Sequence, residues 1–212
     1  MSWIDKGNYW IFTGEQRTDE WKKIRKYRLT GSNVGKAVGH STFGKSEETI
    51  ANEIIEPSGF TNENMEYGTI TEPEARKWYE EQMECKVDEI GFAVPKWNRR
   101  IGGSPDGTVG EDGIIEIKCP KKMYAPLKKD KRWYTKNGIP GHIWVSHYDQ
   151  MQFNMKVLER KWCDYIVYCP IEESVFVQRF NMDHRYWNKI LEPKINIFVD
   201  KWLSGFEPVQ PC

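Results

Sequence analysis

The chain has 212 residues, and its 31 lysines and arginines are balanced by 31 aspartates and glutamates, so bulk charge gives no argument for nucleic acid and any such argument must come from local clusters. The length fits one domain, and an aromatic content of 14% with ten tryptophans excludes a disordered chain.

The pattern predicts a helical segment over 1–60, a catalytic core over 61–182 and a carboxy-terminal helical part over 183–212. Thr18-Asp-Glu starts a helix on which Trp21 and Arg25 share a face at i, i+4, and Ser32 is placed to cap the next helix, over 33–38. A helix start with a free hydroxyl and orphan amides is a ready anion site. The pattern over 72–84 is helical, with Ala75, Trp78, Tyr79 and Met83 on its apolar side. Pro73 suits a first turn there, which puts Glu72 at the helix start. Strands are predicted over 89–94, 100–109 and 113–119, followed by a loop over 120–140 whose length points to function or mobility. A helix over 143–160 carries Trp144, Tyr148, Met151, Met155 and Leu158 as a core stripe, with His147, Gln150 and Asn154 as the adjacent polar stripe. Strands over 164–168 and 175–180 and a last helix over 183–203, interrupted at Pro193, complete the set.

The densest chemistry lies in Ser104-Pro-Asp-Gly and Ile114-Ile-Glu-Ile-Lys-Cys-Pro120. Strand alternation puts Glu116 and Lys118 on one face and Ile115 and Ile117 on the other, with Asp106 across the turn. The same alternation also suits a surface hairpin with a solvated polar face. Two nearby acidic oxygens fit a hard cation such as magnesium better than zinc, and Lys118 beside them is placed to orient or deprotonate a water. Two basic clusters flank this segment. Lys22, Lys23, Arg25, Lys26 and Arg28 precede it; Lys121, Lys122, Lys128, Lys129, Lys131 and Arg132, interleaved with Trp133 and Tyr134, follow it. Their placement favours a groove for a phosphate backbone.

The five cysteines lack a Cys-x-x-Cys pair and imply neither a disulfide framework nor a zinc or iron–sulfur site. Reduced thiols in an intracellular, reducing compartment are expected. No apolar run is long enough to span a membrane, and the first residues carry no apolar leader.

Ser104-Pro-Asp-Gly and Glu116-Ile-Lys-Cys-Pro120 resemble the active-site signature of the lambda-type exonucleases, the viral alkaline exonuclease or recombinase (YqaJ-like) branch of the PD-(D/E)xK nuclease superfamily. Three further strings are similar to that branch. Gly68-Thr-Ile-Thr-Glu72-Pro-Glu-Ala-Arg76 resembles its first acidic motif and His147-Tyr-Asp-Gln150-Met-Gln152 its glutamine-bearing helix. Trp21-Lys-Lys-Ile-Arg25 with Leu29-Thr-Gly-Ser32 resembles the motif that holds a 5'-phosphate. The matches run from about residue 14 to about 158 in the family's order, while the spacer between Asp106 and Glu116 departs in composition.

The resemblance implies an α/β restriction-endonuclease-like core, a mixed central sheet flanked by helices, preceded by a helical segment. It also implies a 5'-to-3' exonuclease that resects one strand of linear duplex DNA and leaves a 3' tail for strand annealing. Asp106, Glu116, Glu72 and the carbonyl of Ile117 are then expected to bind one or two Mg2+ ions, with Mn2+ as a substitute. Lys118 activates water, Gln150 supports it, and Arg25 and Ser32 grip the 5'-phosphate. A trimeric ring and a single-strand annealing partner come with the resemblance. The alternatives are an endonuclease of repair or restriction, disfavoured by the end-gripping motif, and an inactive DNA-binding recombination scaffold, disfavoured because every catalytic residue type is present.

Overall fold

The computed structural model describes residues 2–41, 44–59, 61–124 and 143–211. Its first elements are strands, where helices alone were expected: Trp3–Asp5 (β1) and Tyr9–Phe12 (β2) pair antiparallel. The aromatic and β-branched run Tyr9-Trp-Ile-Phe12 favours a pleated, half-buried surface. The expected helices follow this hairpin. The first is Asp19–Arg25 (α1), capped by Thr18, whose hydroxyl accepts from the Trp21 amide at 3.2 Å. After the short strand Leu29–Thr30 (β3), helix Gly31–Ala37 (α2) starts two residues earlier than predicted. Thr30 therefore occupies the cap position and Ser32 lies in the first turn, so Ser32 is not the cap. Helix Glu47–Ile55 (α3) is capped by Ser46.

Helix Glu63–Met83 (α4) corrects the expected start at residue 72. Its cap is Asn62, whose side chain accepts from Met65 N at 3.0 Å, and Pro73 lies inside the helix. Glu72 is consequently near mid-helix, away from the amino-terminal dipole. Strand Phe92–Pro95 (β4) completes the sheet β1–β2–β4. The single strand expected over 100–109 is two strands, Ile101–Gly102 (β5), parallel to β3, and Gly107–Val109 (β6), broken at 103–106. Pro105 lacks the N–H that an unbroken ladder would use.

Gly113–Lys118 (β7), Trp162–Cys169 (β8) and Ser174–Asn181 (β9) form, with β6, a four-stranded sheet of order β6–β7–β8–β9. The β7–β8 pair is parallel, with Glu116 opposite Tyr165, and its crossover contains helix Val145–Val157 (α5). A final helical run over 184–203 (α6) passes Pro193 without the expected interruption. It widens into π-type turns at Trp187–Leu191 and Val199–Leu203, and Pro193 sits at the start of the α-helical piece between them, just past the first wide turn.

The sheet is covered on both faces. Ala75 and Tyr79 of α4 pack on Ile115, Ile117, Ile166 and Tyr168, while Met151 and Met155 of α5 belong to the core that includes Ile114, Tyr165 and Val167. The expected alternation of β7 holds, but its polar face meets α5 rather than solvent. Within the predicted apolar stripe of α5, Tyr148, Met151, Met155 and Leu158 are buried and Trp144 is exposed. No helix among the described residues is long and apolar enough to cross a membrane.

Candidate active site

The break between β5 and β6 positions the first acid. Gln16 donates to the Ile90 and Pro105 carbonyls, and the Ser104 hydroxyl donates to the Gly91 carbonyl at 2.5 Å, which fixes the 103–106 segment. Asp106 Oδ2 then accepts from the Ile117 amide at 2.6 Å, taking the place of a ladder carbonyl beside the centre of β7. Glu116, 1% exposed, projects from β7 toward α5. Lys118, two residues on, donates to Glu116 Oε1 at 2.6 Å and to Gln150 Oε1 at 3.2 Å. Sequence alternation and the helix stripe thus bring Asp106, Glu116, Lys118 and Gln150 to one place.

The electrostatics follow from this enclosure. Burial, then the Glu116 and Glu72 carboxylates, push the Asp106 carboxyl well above its usual range. Burial likewise raises Glu116 against the opposing pull of Lys118. Burial pulls the Lys118 amine down, but Glu116 and Asp106 outweigh it, so the amine is held as an ammonium. His147, whose Nδ1 lies 2.7 Å from the Tyr165 hydroxyl, is pushed well below its normal range by burial and by Lys118, and so is neutral at pH 7.

Glu72 stands apart from the hydrogen-bonded group. One of its oxygens accepts from Arg17 at 2.5 Å and the other from Arg76 at 2.9 Å, while Arg76 also pairs with Glu89. Among the described residues no three acidic, histidine or cysteine side chains gather as a ready ligand cluster. The donor set nevertheless fits a hard cation: burial raises both the Asp106 and Glu116 carboxyls, Glu116 adds to the rise of Asp106, and Glu116 Oε2 is buried without a hydrogen-bond partner. Four free cysteines take no part.

The amino-terminal motif also assembles. Arg25 donates to the hydroxyls of Thr30 at 3.3 Å and Ser32 at 3.2 Å, and its guanidinium lies 4.1 Å from the Trp21 ring centroid. Among the described residues no carboxylate pairs with it. Burial lowers it to about 10, which leaves it charged at neutral pH. Beside it opens a cleft of about 1220 Å³ whose lining includes Trp21, Lys23, Lys26, Lys36 and Lys45.

The basic clusters divide. Arg28 borders that cleft but is 1% exposed, and its guanidinium donates to the carbonyls of Ile24, Arg99 and Val209, so its charge is turned into the protein rather than toward a phosphate. Lys121 pairs with Glu63, Lys122 is exposed, and Lys128, Lys129, Lys131 and Arg132 lie outside the described residues. Sequence reasoning missed Arg17, Arg76 and Gln16. Arg76 follows Glu72 at i+4 and was open to detection by that spacing, whereas Arg17 and Gln16 carry no local signal.

The sequence model of the YqaJ-like viral recombinase domain matches residues 20–161. The alkaline exonuclease LHK-Exo of Laribacter hongkongensis is similar at 27% identity and a TM-score of 0.70, over 89% of this chain and 93% of that one. Its complex with dAMP gives 28% identity and 0.72 over the same shares. A phage-related exonuclease of Haemophilus somnus 129PT shares the fold, with 14% identity and a TM-score of 0.58 over 88% of this chain and 99% of that one. No curated protein matches the chain by sequence.

Proposed function

The chain belongs to the YqaJ-like viral recombinase family and is a nuclease of the alkaline exonuclease kind, and from that premise we propose that it resects the 5'-ended strand of linear duplex DNA, leaving a 3' tail for annealing. The observation that carries the reading is the hydrogen-bonded set Asp106, Glu116, Lys118 and Gln150 at the centre of the mixed sheet.

Asp106, Glu116 and the Ile117 carbonyl are the proposed ligands of Mg2+ or Mn2+, one or two ions. Glu72 joins them if it releases Arg17. When bound, the cation lowers the pKa of an attacking water and offsets charge on the phosphodiester. The chain's own groups do the rest. Lys118 is held protonated by Glu116 and Asp106. Burial already disfavours the charge on Lys118, so if a bound cation offset the two carboxylates the amine would be placed to accept a proton from that water. Gln150 Oε1 keeps the amine aimed at the site.

Arg25 and Ser32 are the proposed grip for the terminal 5'-phosphate. A partly buried guanidinium with only hydroxyl partners suits an anion, and Ser32 is exposed to receive one. The cleft beside them is lined by Lys23 and Lys36 and also by Asp19, Glu20, Glu53 and Glu56, so the lysines nearest Arg25 are the part of it that suits the adjoining backbone. From the resemblance come a ring of three subunits, a single-strand annealing partner and an intracellular setting.

Arg25→Ala is expected to cut the preference for 5'-phosphorylated over 5'-hydroxyl duplex roughly 10–100-fold, the scale of a lost charge-assisted hydrogen bond. End-labelled linear duplexes measure it, and an unchanged preference removes Arg25 from the grip. On covalently closed circular duplex the chain is expected to be inert; rapid cutting there would establish the endonuclease reading instead.

A further inference from the structure

Asn154 was expected on the wet side of α5, yet it is 1% exposed, and neither its Nδ2 nor its Oδ1 has a hydrogen-bond partner. An amide buried with both ends unpaired is costly and calls for an explanation. Its surroundings supply one. Helix α5 runs back along β7, so that Gln150 meets Lys118 and, one turn later, Asn154 approaches Glu116, two residues earlier on the strand. Four residues of helix rise about 6 Å and two of strand about 6.6 Å, so the two elements keep step. Glu116 Oε2 is the other buried oxygen in this region without a partner. Asn154 lies near enough to draw the Glu116 carboxyl's pKa down, but no hydrogen bond is closed.

The opposite side of the amide is pressed by two glycines. A Cβ added to Gly31 or to Gly103 would stand 2.7 Å from Asn154 Oδ1. Gly31 lies between Thr30 and Ser32, the hydroxyls that hold Arg25, and Gly103 opens the segment that ends in Asp106. One side chain therefore touches the end-gripping motif, the segment bearing the first acid, and the strand bearing the second.

We infer that Asn154 is a positioning residue: its Nδ2 donates to Glu116 Oε2 when Glu116 Oε1 exchanges Lys118 for a divalent cation, while Oδ1 seats Gly31 and Gly103 and so fixes the distance between grip and metal motif. The inference rests on the metal-nuclease reading above. A neutral amide suits this role, because it orients the carboxylate without competing for it as a lysine would. Contacts of this kind to ligating groups set metal affinity.

The test is Asn154→Leu, which keeps the branching and heavy-atom count and removes both polar ends. Mn2+ binding to the DNA-free full chain is measured by titration calorimetry, together with Tm in the absence of metal. Asn154→Leu is expected to bind Mn2+ roughly tenfold or more weakly with Tm at or above that of the parent, a combination that a merely structural side chain does not produce. Parental Mn2+ affinity in the folded variant overturns the inference. Should Asn154→Leu not fold, Asn154→Ala is read on the same two outcomes. If the parent shows no Mn2+ binding that Asp106→Asn abolishes, the metal reading itself fails and this inference with it; normal parental binding that Asn154→Leu leaves untouched sinks this inference alone.

Discussion

Asp106→Asn is expected to abolish cleavage, on the order of 10³-fold or more as for other essential members of a catalytic set, and at the same time to raise the metal-free Tm. The two effects have one cause. Asp106 shares a buried space with Glu116, and its carboxyl is pushed well above the usual carboxylate range by burial and by its acidic neighbours. The folded chain therefore holds a proton there that the unfolded chain has released. The linkage has a definite sign: the parent loses stability as pH climbs from about 4, where the unfolded aspartate ionises, up to the raised folded value, above which the penalty is constant. Asparagine removes the penalty. The Tm gap between variant and parent should thus be absent below about pH 4, open as pH rises and then level off, at about 2–4 °C for each kcal/mol relieved in a chain of this size. Saturating Mg2+ should close the gap by stabilising the parent alone. Calorimetric scans at several pH values measure this, and a variant less stable than the parent at neutral pH refutes it.

The largest stability loss is expected at Arg28. Its guanidinium reaches the carbonyls of Ile24, Arg99 and Val209 in a buried setting, with burial lowering it to about 10, so it remains charged at neutral pH. Arg28→Met removes the donor from one buried and two part-buried carbonyls, and a loss of about 3–5 kcal/mol is expected, which is roughly 10 °C in Tm. Lys23→Met, an exposed position of the same basic run, is expected to change stability by less than about 0.5 kcal/mol. Denaturant titration of both compares them directly. Equal effects would return Arg28 to the DNA-facing surface.

These two arginine-cluster residues also show what the sequence made legible. Alternation along β7 was readable because a strand has only two faces, and the apolar stripe of α5 because four large side chains recur at helical spacing. Both place the candidate site. The pattern could not distinguish Arg28 from its basic neighbours, because the partners that bury it are backbone carbonyls as far as 181 residues away. Asn154 failed for a related reason: periodicity gives the angle of a side chain about its helix, not what lies opposite, and here the opposite wall is a pair of glycines. The start of α4 was misread because Pro73 fits a first turn locally, while the true cap, Asn62, lies about three turns upstream. The hairpin at the amino terminus is held by β4, far along the chain, and short runs of aromatic residues do not announce such a partner.

The hold of Arg28 on Val209, together with Arg100 donating to the carbonyls of Leu203, Ser204 and Phe206, has a consequence for synthesis. Arg28 immediately precedes β3, and Arg100 immediately precedes β5, the strand pair beneath Thr30. The seat of the proposed phosphate grip is therefore finished only when residues 203–209 have been made and have docked.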